Sequence, residues 1–130
     1  MAEATKPLTI GSTVLGVEDV ARALEFWTAA LDYEPRGVYD DTWVILVPRE
    51  GIGAQLALAL SDTPADDHPR HHLDLYAPDQ AAEVERLIGL GAAHVDWDGY
   101  DEDSDFIVLE DTEGNRFCVV DTSEPEEELA

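Results

Sequence analysis

The chain has one cysteine, Cys118, so no internal disulfide can staple it, and this sparing use of thiols suits a reducing cytoplasm. Lysine is almost missing: Lys6 is the only one, and seven Lys plus Arg stand against thirty Asp plus Glu, a net charge of −23. A field of that sign repels polyanions, which argues against nucleic acid and anionic membranes as partners. No apolar run approaches the roughly 20 residues needed to span a bilayer. The opening "MAEATKPLT" lacks the basic end and apolar stretch of a secretory signal. A cytoplasmic location is expected. The acidity itself has two readings, a solubilising surface or adaptation to a saline cytosol, and composition does not separate them.

What is present is enough for a core. With 130 residues and 45% hydrophobic content, including three Trp, four Tyr and three Phe, the chain is one domain and too apolar to be disordered. Residues 8–17 read as a strand. In "EDVARALEFWTAALDY" the apolar Val20, Leu24, Trp27 and Leu31 recur at helical spacing. After a turn at "EPRG", "TWVILVP" and "AQLALAL" read as strands, and 61–70 is a polar, proline-bearing linker. "HHLDLYA" then begins a second set. "PDQAAEVERLIGLGA" is its helix, with Pro78 expected in the first turn and glycines at the stop. "AHVDW", "DFIVLED" and "NRFCVVD" are its further strands, and 122–130 is an acidic tail expected to be disordered.

The two halves superpose with an offset of 60 positions: Ser12 falls on His72, Leu15 on Leu75, Asp19 on Asp79 and Leu24 on Val84. A βαβββ module therefore occurs twice, over 8–60 and 71–121. The expected fold is α+β, two modules curling into a half-open barrel, or cup, with the helices outside. Strand alternation decides which side chains look into the cup. If Leu73 and Leu75 cover the helix, His72, Asp74 and Tyr76 face inward.

Three segments, "LGVEDVARALEFWTAALDY", "HHLDLYAPD" and "LEDTEGNRFCVVD", resemble the vicinal oxygen chelate superfamily of glyoxalase, bleomycin-resistance and extradiol dioxygenase proteins. The likeness spans about residues 8–121 and is similar in wording to small glyoxalase-like domains of actinobacteria. It implies dimers, and in metal-dependent members a His or Glu on the first strand of each half and a Glu on the last. Residue by residue those positions are Ser12, His72, Cys118 and, in "AQLALALSD", no carboxylate at all. One family ligand of four is retained, so neither a metal nor another cofactor is expected; the alternative is that His72, Cys118 and Asp74 hold a soft ion such as zinc in another geometry.

His72 and Asp74 are candidate catalytic residues, because a carboxylate beside an imidazole fixes its tautomer; the alternative is a polar pair in a wet cavity. Ser12, Trp43, Tyr76, Trp97, Tyr100, Arg116 and Cys118 are candidate ligand contacts, the tryptophans as flat walls and Cys118 as a small filler. "DWDGYDEDSD" lacks the register of a calcium loop and reads as a solvated acidic loop. Gly114-Asn115 suits a tight turn with positive φ. The leading function is a metal-free binding protein for a small organic molecule. The alternatives are an enzyme (lyase, isomerase or dioxygenase relative) using His72 and Asp74, with or without metal, and a protein-interaction module. A homodimer is expected.

Overall fold

The computed structural model describes residues 10–123. The first two residues of the expected opening strand and most of the acidic tail lie outside them. Each module builds one four-stranded mixed sheet. The first contains β1 (Ser12–Val17), α1 (Val20–Leu31), β2 (Tyr33–Pro35), β3 (Trp43–Pro48) and β4 (Gln55–Leu60). The second contains β5 (Asp74–Ala77), α2 (Gln80–Leu90), β6 (Ala93–His94), β7 (Phe106–Glu110) and β8 (Arg116–Asp121). Their strand orders, β1-β4-β3-β2 and β5-β8-β7-β6, are the same pattern twice, and neither sheet closes into a barrel. This is the α+β, two-module cup fold.

The internal repeat is visible at the helix starts. Asp19 and Asp79, 60 positions apart, are both N-caps, and each side chain accepts from the backbone N–H three residues on, at 3.1 and 3.2 Å. That satisfies one of the amides a helix start leaves free. Pro78 therefore sits just ahead of the α2 cap rather than in the first turn. α2 stops at Gly91, whose φ of 122° favours glycine.

Three local expectations are corrected. The turn at 34–37 is replaced at its start by β2, which pairs antiparallel with β3 from Tyr33↔Pro48 to Pro35↔Leu46. Asp32, at φ 56°, turns the chain out of α1 directly into that edge strand, where Pro35 is tolerated. β6 has two residues instead of five. Its next partner would be Val108, but the Val108 N–H donates to the Tyr100 hydroxyl at 2.7 Å, so a side chain occupies the β7 edge. On α1 the buried side chains are Val20, Ala23, Phe26, Trp27 and Ala30, whereas Leu24 and Leu31 lie at the flank. The helix is covered from two sides, by its own sheet and by the second module.

Trp27 shows why. It is fully buried, edge-on to Phe26 of its own helix (centroids 5.0 Å) and to Phe117 of β8 (5.3 Å). One core thus serves both modules, which join further through the turn 111–115. Asn115 Nδ2 donates to the Gly16 carbonyl at 2.8 Å, and Glu113 accepts from the amides of Glu18 and Asp19 at 2.9 and 3.0 Å. Arg86 of α2 reaches back to the Ala30 carbonyl at the end of α1, at 2.9 Å.

Candidate functional site

Alternation and register assemble the site on the second sheet. On one face of β5, Leu73 and Leu75 pack toward the core, which leaves Asp74 and Tyr76 on the other. Register then sets two rows across three strands: Asp74, Cys118 and Val108, and beside them Tyr76, Val120 and Phe106. These rows floor a cavity of about 590 Å³ whose remaining lining includes His72, Arg116, Asp105, Pro69 and Trp97. The volume lies within the roughly 300–1,000 Å³ of small-molecule sites.

At its polar end, His72 Nε2 lies 3.0 Å from Asp74 Oδ1, with both side chains about half exposed. Asp74 can only accept when ionised, so the neutral imidazole that fits carries its proton on Nε2 and leaves Nδ1 free to accept. Beside them the Cys118 thiol is pushed up to about 11, by burial and by the charge of Asp74. It is a packing thiol at neutral pH. Arg116 also lines the cavity, but its Nη1 donates to the Asp67 carbonyl and its Nη2 is 3.6 Å from the Asp67 carboxylate. The linker is thereby held against the rim. His68 adds to this with its ring centroid 5.0 Å from that of Trp97.

Of the nine residues expected from sequence, the structure brings His72, Asp74, Tyr76, Trp97, Arg116 and Cys118 together. Ser12 and Trp43 lie on the first sheet and Tyr100 braces the β7 edge, so none of the three lines this cavity. Phe106, Val108 and Val120 were missed. Alternation in "DFIVLED" and "NRFCVVD" carries that signal, because each shares a face with Cys118 once the strands are paired.

His72, Asp74 and Cys118 have ligand atoms within 4.8 Å of one another, the grouping among the described residues close enough to hold a metal ion. It is one imidazole, one carboxylate and one thiol. Ser12 is on the other sheet, and β4 (Gln55–Leu60) contributes no carboxylate. This set does not fit the oxygen- and nitrogen-rich site of a hard divalent ion.

A glyoxalase-like domain family model matches residues 12–120. No curated protein matches the sequence. Among solved structures, FosX, the fosfomycin resistance protein of Listeria monocytogenes complexed with Mn(II) and 1S,2S-dihydroxypropylphosphonic acid, superposes with a TM-score of 0.70 at 13% identity, covering 95% of this chain and 97% of that one. A glyoxalase/bleomycin resistance protein from Albidiferax ferrireducens T118 gives 0.61 at 17% identity, covering 89% and 98%. A glyoxalase/bleomycin resistance protein/dioxygenase family enzyme from Burkholderia phytofirmans PsJN gives 0.66 at 13%, covering 85% and 96%. At these identities the likeness is one of fold.

Proposed function

Because the chain belongs to the glyoxalase-like domain family, of the vicinal oxygen chelate superfamily, we propose that it is a metal-free binding protein whose second-module cavity holds a small organic molecule. The observation that carries this reading is the 590 Å³ cavity: a floor of Tyr76, Phe106, Val108, Cys118 and Val120 from three strands with a few convergent polar groups, His72, Asp74 and Arg116, at one end. The donor set argues against the metal chemistry of the superfamily. A thermal-shift screen of mixed metabolites and antibiotics tests the reading. Hits that lose their effect when Val108→Trp fills the floor support it, and a screen without such hits overturns it.

The His72–Asp74 contact favours a second reading, an isomerase or lyase without metal. In it Asp74 holds the imidazole with Nε2–H toward itself, and Nδ1 takes a proton from bound substrate. Turnover of glutathione hemithioacetals that is abolished in His72→Ala distinguishes it from pure binding.

The same proposal takes the chain as a cytoplasmic homodimer, with no nucleic-acid or membrane partner. No helix of the described residues is long and apolar enough to cross a membrane. The face of the first sheet turned away from α1 carries Val14 and Trp43, 51% and 42% exposed, with Ile45 in register beside them. An apolar face of this kind, on a chain charged at −23, suits a second copy of the same surface better than bulk water.

A further inference from the structure

We propose that the cavity selects ligands that carry a protonated amine on a flat apolar body; this rests on the binding reading above and specifies its ligand class. Two carboxylates line the cavity, Asp74 at its polar end and Asp105 in the exposed segment leading into β7. The one guanidinium there, Arg116, already has the Asp67 carboxylate within 3.6 Å and the Asp67 carbonyl as acceptor. Its charge is thus matched by a linker group, whereas among the described residues no other Lys or Arg lines the cavity, and the side-chain partner of Asp74 there is the His72 imidazole at 3.0 Å.

The apolar surface complements this charge. Tyr76, 74% exposed, and Phe106 are in the same cross-strand row, and Trp97 closes the side beneath His68. A cation over an aromatic face is attracted by the ring quadrupole, and an ammonium beside a carboxylate gains a charge-assisted hydrogen bond. The field of the whole chain at −23 raises the local concentration of cations and lowers that of anions. A carboxylated or phosphorylated ligand would have to displace Asp67 from Arg116 while facing Asp74.

The test is calorimetry of the full chain at low salt with three probes of one shape: benzylamine, benzyl alcohol and benzoate. Benzylamine should bind about tenfold or more tightly than benzyl alcohol, and benzoate most weakly. Added salt should weaken benzylamine alone, and Asp74→Asn should reduce it to the level of the alcohol. Equal binding of amine and alcohol overturns the charge inference and leaves the small-molecule reading standing. Benzoate binding best, with Arg116→Ala abolishing it, overturns the charge inference in sign. If no probe binds, the inference falls, and the broad thermal-shift screen then judges the binding reading separately.

Discussion

The indole N–H of Trp27 donates to Asp111 at 3.0 Å, joining a helix of the first module to a turn of the second across 84 residues of sequence. Asp111 is only 3% exposed, and burial pushes its carboxyl above the ordinary range, against the pull of the Asn115 and Glu113 amides and of Trp27. The bond lies in the shared core, so its loss is felt by both modules.

Asp111→Ala would leave Trp27 Nε1 and the amides of Glu113 and Asn115 without their acceptor. Unpaired buried donors cost about 1–3 kcal/mol each in apolar surroundings, less where water enters. A total loss of about 2–4 kcal/mol is expected in urea unfolding, with Asp111→Asn losing less because it keeps one carbonyl acceptor. Equal stability of Asp111→Ala and the parent would show that the bond is incidental.

Glu113 makes folding sensitive to acid. Its side chain is fully covered, and although burial alone would raise its pKa, hydrogen bonds from Arg22, the Asp19 and Glu18 amides and Thr112 bring it down to about 2 from 4.5. A depressed folded-state pKa stabilises above the unfolded value, and that contribution is lost as pH falls from about 4.5 towards 2. Since Arg22 is half exposed, screening limits the contribution to about 1–3 kcal/mol. Glu113→Gln should lower stability by this amount at neutral pH and flatten the acid limb of the stability curve; unchanged pH dependence in the variant would refute the assignment.

Purified protein should carry no stoichiometric divalent metal, since Ser12, Cys118 at the expected Glu position and a β4 without carboxylates leave too few donors. Elemental analysis decides this. About one zinc, nickel or iron per chain, lost in His72→Ala, would reverse the conclusion.

Salt should strengthen both the dimer and the fold. At −23, self-repulsion opposes compaction and association, and counterions screen it over about 10 Å at 0.1 M ionic strength. Light scattering should show a dimer that tightens as salt is added, and Trp43→Glu, on the exposed face of the first sheet, should weaken it. A monomer at both low and high salt removes the assembly from consideration.

The family segments and the 60-residue offset made the fold legible, because each module repeats the same local signals: alternating strands, an Asp cap and a helix with an apolar stripe. Alternation around Leu73 and Leu75 also told which way His72, Asp74 and Tyr76 would face, since the strand period of two is a property of the chain itself. The "DTEGNR" turn was legible only as a turn, with Gly114 at φ 83° as expected. That its side chains clamp one module to the other depends on contacts such as Glu113 to Glu18, 95 residues away, which local pattern does not encode. The cavity shows the same division. Sequence nominated Trp43 and Tyr100 on residue type and Ser12 on its match to His72, but strand pairing put Trp43 and Ser12 on another sheet and gave Tyr100 to the amide of Val108. Register between distant strands, set by packing across the shared core around Trp27 and Phe117, decided that Phe106, Val108 and Val120 would stand beside Cys118 instead.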